Sequence, residues 1–241
     1  LGRIETLLAS LKQVSADIAH DLRTPLARLR QRLESVRRAQ RTPAEYETAI
    51  DDAIGESEAA IETFNALLRI AQIEAGTRRA RFRRLDLADV VRRICDVYGD
   101  VATDEGHDLV ALALPSAMIE GDEELLVQAL ANLLENAINH VPAPGRIGVG
   151  ITRVGDRVLL DVVDDGPGVP AEERERIFQR LYRLDRSRTT PGSGLGLSLV
   201  AAIAELHHGT VEALDGAPGL KVRIDLPAAK TGAAPDDYQT V

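Results

Sequence analysis

A nucleophile, an acid and a hydroxyl fall within about one helical turn of each other at His20, Asp21 and Thr24. They belong to the run Ala-Asp-Ile-Ala-His-Asp-Leu-Arg-Thr-Pro-Leu at 16–26. Its apolar residues have helical spacing: Ile18 and Leu22 share a face, and His20 points away from their midline towards solvent. Pro25 offers no N–H to the carbonyl of Asp21 and its ring crowds that carbonyl, so a kink is expected just after the histidine. An exposed imidazole next to a carboxylate can act as a nucleophile, yet alone it is also an ordinary surface histidine. Its weight comes from three blocks more than a hundred residues further on.

The first is Asn132-Leu133-Leu134-Glu135-Asn136-Ala137-Ile138-Asn139. Asn132 and Asn136 lie four apart on one helix face, with Asn139 close by, while Leu130, Leu133 and Ala137 fill the other face. Three asparagines inside a helix carry a propensity cost, because their amides compete with the backbone. Amide oxygens are hard ligands suited to Mg²⁺. The second block, Asp164-Asp165-Gly166-Pro167-Gly168, follows an apolar strand. It sets a carboxylate at the strand's mouth, with glycines that let the backbone turn and approach a ligand. The third, Gly192-Ser193-Gly194-Leu195-Gly196-Leu197, opens a helix whose free backbone N–H groups suit a phosphate. It lacks the strand-to-helix layout and downstream acid of a dinucleotide fold.

These groups need elements to hold them. An apolar seam runs through Ile4, Leu8, Leu11, Ile18, Leu22, Leu29, Leu33 and Val36, in steps mostly of three and four. Thr42-Pro43 reads as a helix start. A second seam follows at Tyr46, Ile50, Ile54, Ser57, Ile61, Phe64, Leu68 and Ala71, ending near Gly76. The two arms form an antiparallel helical hairpin. Such a pair buries one stripe poorly, so two copies are expected to complete a four-helix bundle, a homodimer through 1–76. Residues 77–84 read as a basic linker or first edge strand. From 85 to 227 helices are expected at 87–98, 123–139 and 195–206, the last closed by Gly209. Strands are expected at 109–114, 146–153, 157–163, 211–213 and 220–226. Without a regular βαβ rhythm the class is α+β. Residues 228–241 read as a disordered tail.

A net charge of −9 argues against a general nucleic-acid binder. One cysteine, Cys95, excludes an internal disulfide and a cysteine-based metal cluster, and there is no apolar run long enough to span a membrane.

Taken together the chain resembles the core of a bacterial two-component sensor histidine kinase over almost all of residues 1–227. The blocks that carry the resemblance stand in family order: His20 to Leu26, Asn132 to Asn139, Asp164 to Gly168, Ile177-Phe178-Gln179-Arg180-Leu181-Tyr182-Arg183, and Gly192 to Leu197. The resemblance implies an α/β sandwich ATP-binding domain of the histidine kinase (GHKL) type behind the dimeric bundle. It makes His20 the phosphate acceptor, Asp21 the residue that orients and helps deprotonate its ring, and Thr24 a positioner of water in a reverse, phosphatase reaction. Asp164 would bind the adenine amino group, with Gly166 and Gly168 shaping that floor. Asn136 would hold Mg²⁺ and Asn132 would stand beside the phosphates, with Asn139 also at the nucleotide. Gly192, Gly194, Leu195 and Gly196 would close over the triphosphate. The segment at about 169–191 would be a mobile lid, with Arg183 reaching a phosphate. Implied too are ATP and Mg²⁺, a response-regulator receiver domain as partner, and a cytoplasmic position beneath a membrane-spanning part, in the inner membrane, N-terminal to residue 1.

Two departures stand out, and a third position separates the chain from hydrolytic relatives. The family often has lysine where this chain has Asn139, and asparagine where it has Asp165, which puts a further negative charge near the nucleotide. In related ATPases that hydrolyse ATP a glutamate stands four residues before the metal asparagine. Here that residue is Asn132, which cannot serve as a base, and Glu135 lies about 100° away round the helix.

Overall fold

The computed structural model describes residues 27, 30–31, 33–38, 42–74, 81–184 and 194–229. His20, Asp21, Thr24, Gly76, Gly192 and the tail from 230 onwards lie outside the described residues. Of the expected first arm, residues 27, 30–31 and 33–38 are helical.

Helix α1, Pro43–Glu74, begins as its sequence dictates. Pro43 takes the first helical position, where a missing N–H costs nothing. Thr42 and Glu45 cap each other: the Thr42 N–H donates to Glu45 Oε2 at 2.7 Å and the Glu45 N–H to Thr42 Oγ1 at 3.4 Å. The helix carries two apolar stripes rather than one. Ala49, Ala53, Ala60, Leu67, Ile70 and Ile73 are buried within the chain. The expected seam lies one residue round from them, and its large members are open to solvent: Ile50 is 54%, Ile54 51% and Ile61 57% exposed.

Beyond α1, strand β1 (Arg83–Asp86) leads into helix α2 (Leu87–Asp104), then β2 (His107–Ala111) and β3 (Met118–Gly121). Helix α3 (Glu123–His140), strands β4 (Gly145–Val154) and β5 (Arg157–Asp164), helix α4 (Gly196–Leu206), and strands β6 (Thr210–Asp215) and β7 (Leu220–Pro227) complete the order. The main sheet runs β2-β4-β5-β7-β6; β2 pairs parallel with β4 and every other pairing is antiparallel. Register places like with like. Val149 faces Val162, and Val162 faces Val222; Ile151 faces Leu160, and Leu160 faces Ile224. All of these are buried beneath the helices. On the other face Asp161 stands opposite Arg223 and takes a two-pronged bond from it at 2.8 and 2.9 Å, with Lys221 2.8 Å away. Burial would raise the Asp161 carboxyl, but these cations outweigh it and hold it below the usual carboxylate range. A slip of one residue would bury those charges and expose the aliphatic row.

Helix α2 is longer than the expected 87–98, and β2 lies two to three residues earlier than the expected strand. Strand β3 has no counterpart among the expected elements. It pairs antiparallel with β1, and Ala228 bridges to Ile119 while the Ala229 N–H donates to Met118. Ala228 and Ala229, placed in the tail by sequence, therefore belong to the fold. At the end of α4 the left-handed residue is His208 (φ 58°), not Gly209, whose N–H returns to the Ala204 carbonyl at 2.8 Å. Cys95 is half-buried, and burial pushes its thiol up to about 11, so it is an inert thiol.

Candidate functional site

Helix α3 supplies one wall of the site. Asp122 caps it by accepting from the N–H groups of Glu124 and Leu125 at 3.0 and 3.4 Å. His207, expected only to finish α4, fixes that cap from behind. It is buried and stacks on Phe82 with ring centroids 4.6 Å apart. Its Nδ1 lies 2.7 Å from the Ile203 carbonyl and so carries the proton, leaving Nε2 to accept from the Asp122 N–H at 3.0 Å. Burial lowers the His207 pKa, with the Ile203 bond working the other way, and the ring is held neutral. Leu126, Leu130, Leu133, Leu134 and Ala137 lock the inner face of α3 into the core. Gln128, Asn132, Asn136 and Asn139 are thereby turned outward along one line.

That line faces a cavity of about 640 Å³, within the range that holds a nucleotide-sized ligand. Asn132, Asn136, Asn139, Asp164, Gly168, Arg183, Gly194, Leu195 and Gly196 all border it. Gly166 does not. It stands behind Asp164, donating its N–H to Asp164 Oδ1 at 2.9 Å, while Leu220 donates to the same oxygen at 3.1 Å. Asp164 Oδ2 accepts no hydrogen bond among the described residues and is the oxygen left for a ligand donor. Burial pushes the Asp164 carboxyl above the usual carboxylate range, against the pull of the two N–H groups. Asp165 turns away from the cavity. Its Oδ1 accepts from the Arg146 N–H at 2.8 Å, yet its charge still adds to the upward push on the Asp164 carboxyl.

Two glycines hold Asp164 in place, and only one was legible as a motif residue. Gly219 (φ 95°) packs against the Asp164 backbone so closely that a β-carbon there would land inside the carbonyl oxygen's radius. Gly168 (φ 63°) in turn lies against Gly219, where a β-carbon would be 2.7 Å from the Gly219 oxygen. The sequence signal for Gly219 was the turn run Asp215-Gly216-Ala217-Pro218-Gly219. What the run could not tell is that β7 lies beside β5.

Over residues 169–184 the expected lid segment is tied down by local structure. Two short 3₁₀ turns, Ala171–Glu173 and Arg176–Phe178, bracket it, and Ile177 is buried in the main core. Tyr182 donates to Glu173, and Arg176 both bonds Glu173 and lies 4.7 Å over the Tyr182 ring. Residues 185–193 lie outside the described residues. Glu135 borders the cavity, but its carboxylate accepts from Tyr98 Oη at 2.6 Å. Burial and that carboxylate both push the Tyr98 phenol upward.

The donor set fits a polyphosphate with a hard cation. The Asn132 Nδ2 amide is buried without a hydrogen-bond partner among the described residues, an N–H donor that a ligand oxygen would satisfy. It adjoins Gly196, whose β-carbon position lies 3.5 Å from Asn132 Oδ1, so amide and helix start converge on one spot. Asn136 offers a neutral amide oxygen a turn away.

Comparison with known proteins agrees with this geometry. Residues 10–76 match the His Kinase A (phospho-acceptor) domain, and residues 121–230 match the histidine kinase-, DNA gyrase B- and HSP90-like ATPase family. The chain is 34% identical over 212 residues to the sensor protein IrlS of Burkholderia pseudomallei, covering 87% of this chain and 45% of that protein. It is 33% identical over 232 residues to the sensor histidine kinase CusS of Escherichia coli K12, covering 95% of this chain and 48% of that one. The fold is similar to that of the histidine kinase ThkA, solved in complex with the response regulator TrrA. That likeness has a TM-score of 0.69 at 19% identity, over 93% of this chain and 64% of that one. The chain therefore carries both conserved modules of the two-component sensor histidine kinases, and it belongs to that family. It spans about half the length of the relatives it matches. Among the described residues no helix is long and apolar enough to cross a membrane.

Proposed function

We propose that the chain is the catalytic core of an ATP-dependent protein-histidine kinase that phosphorylates His20 and passes the phosphoryl group to an aspartate of a response regulator. The observation that carries this reading is the convergence of the asparagine face of α3, Asp164 and the Gly194–Gly196 helix start on one nucleotide-sized cavity. Residues 85–227 bind ATP, residues 1–76 form the dimeric bundle bearing His20, and 77–84 join them. Asp164, shaped by Gly166 and Gly168, accepts from the adenine amino group. Asn132, Asn139, Arg183 and the Gly192–Gly196 loop, with the Leu195 and Gly196 N–H groups, hold the phosphates. Asn136 holds Mg²⁺, which when bound neutralises phosphate charge.

His20 attacks the γ-phosphorus through a neutral ring nitrogen. The N–P bond forms as the bond to the bridging oxygen breaks, and ADP leaves with that electron pair. Asp21 orients the ring and draws off its proton. Phosphoryl transfer asks for placement and charge neutralisation rather than covalent help, and these residues offer both. Thr24 positions water when the reaction partner is a phosphorylated regulator. The exposed Ile50, Ile54 and Ile61 stripe of α1 is covered by the same stripe of a second copy, the isologous seam of a four-helix bundle. In the cell this core lies on the cytoplasmic side of the inner membrane, below a sensing portion.

The test is incubation with γ-labelled ATP and Mg²⁺, followed by acid and alkali treatment. Label stable to alkali, lost in acid and missing from His20→Gln is expected. Steady phosphate release without labelled protein, or full labelling of His20→Gln, overturns the assignment.

A further inference from the structure

One wall of the cavity comes from outside the ATP-binding domain. Asn65, Ala66 and Arg69 reach it from α1. Asn65 and Arg69 are one helical turn apart and share a face, and Ala66 is too small to close the gap between them. Arg69 is the only basic residue of α1, a helix that carries eight acidic ones: Glu45, Glu47, Asp51, Asp52, Glu56, Glu58, Glu62 and Glu74. It is exposed and makes no ion pair or hydrogen bond among the described residues. On a helix whose sequence is otherwise acidic, the one guanidinium borders the cavity.

The position along the cavity identifies what Arg69 meets. Asp164 lies near His140, at the C-terminal end of α3. Asn132 and Gly196 mark the other end, about 12 Å away along α3 at 1.5 Å per residue. Helix α1 packs on α4, and its Leu67, Ile70 and Ile73 share a core with Leu199 and Ile203. Helix α4 borders the cavity through Gly196, Leu197 and Leu199, so α1 meets the cavity beside the start of α4, the phosphate end. Among the described lining residues Arg69 and Arg183 are the only Arg or Lys, set against the carboxylates of Glu135 and Asp164. Asn139 adds no charge.

We infer that Arg69 binds the terminal phosphate of ATP, so that the nucleotide ties the bundle helix α1 to the ATP-binding domain. This rests on the nucleotide reading above and extends it to a contact made across the two parts of the chain. Arg presents a planar fork suited to two phosphate oxygens. ADP lacks those oxygens, so transfer of the γ-phosphate removes the tie and frees the bundle from the domain that phosphorylated it.

The experiment is calorimetric titration of this chain with ATP and with ADP, in Mg²⁺, for the wild type, Arg69→Ala, Arg69→Lys and Asp164→Ala. Arg69→Ala is expected to weaken ATP about tenfold, the scale of one charge-assisted bond, and ADP less than about twofold. Arg69→Lys keeps the charge but not the fork and recovers part of the loss, which a packing role would not do. Asp164→Ala weakens both nucleotides alike. Equal loss of ATP and ADP in Arg69→Ala, or no loss, overturns the inference while leaving the nucleotide site standing. A wild-type chain that binds neither nucleotide overturns both.

Discussion

Replacing Gly219 by alanine probes the floor of the nucleotide site without touching any residue that a ligand would meet. The substitution carries two separate costs. At φ 95° a β-carbon is strained by about 1–2 kcal/mol. It also overlaps the Asp164 carbonyl oxygen and comes within 2.9 Å of Asp164 Oδ1. Relief requires backbone movement, which adds about 1–3 kcal/mol of overpacking. Gly155, in the β4–β5 turn, separates the terms: it has φ 61° but no atom within 4 Å of its β-carbon position. Gly155→Ala therefore incurs the conformational cost alone. At about 2–4 °C per kcal/mol for a chain of this size, Gly219→Ala should melt roughly 2–12 °C below Gly155→Ala. Because the overlap displaces Asp164, its affinity for adenosine, ADP and ATP should each fall about tenfold or more, the loss expected of a charged hydrogen bond. Gly155→Ala should bind like wild type. Scanning calorimetry and ligand titration read both effects. Equal melting temperatures for the two variants, or unchanged adenosine binding in Gly219→Ala, would refute the claim that this glycine positions the carboxylate.

Two further outcomes follow from groups away from the ligand. The depressed His207 pKa means that the unfolded chain takes up a proton before the folded one as pH falls. Stability is therefore fully present above the ordinary value of 6.5 and is lost as pH drops through the lowered folded value. His207→Leu strands the Asp122 N–H and removes the stack on Phe82, costing about 2–4 kcal/mol, and denaturant titrations should show a smaller drop in stability between about pH 7.5 and 5.5 than in wild type; an unchanged drop rejects His207 as its source. Separately, Ile54→Glu with Ile61→Glu should give a monomer in sedimentation that keeps its adenosine affinity, and persistence of the dimer would reject the exposed stripe as the seam.

The alternating strands were legible because each carries a full aliphatic row on one face, as Leu220, Val222, Ile224 and Leu226 do in β7. So was α3, whose leucines and asparagines divide cleanly between two faces. Strand β3 was not, because Met118-Ile119-Glu120-Gly121 is too short to alternate and gains its partner β1 from across α2. The buried stripe of α1 is faint in the sequence for a different reason. Ala49, Ala53 and Ala60 give a weak hydrophobic signal, whereas the bulky isoleucines one residue further on dominate the pattern yet are exposed in the single chain. His207 read as a helix cap because its partners, Asp122 and Phe82, lie more than eighty residues away in sequence. Arg69 carried no motif at all. Its meaning is set by which helix packs beside the cavity, and local sequence does not encode that.

The site residues are also where the fold gives up stability. The three asparagines of α3 each weaken a helix that leucine or alanine would strengthen. An Asn132 amide buried without a partner among the described residues costs about 1–3 kcal/mol. Burial of Asp164 disfavours its charged form, and among the described residues the two N–H groups that aim it both fall on one of its oxygens. None of these choices improves packing, and the residues concerned share one wall and one floor. The same groups are what an adenine amino group, a row of phosphate oxygens and a hard cation would satisfy. If the site takes Mg-ATP as proposed, the nucleotide would supply partners for these groups, and binding would offset what folding left unmet.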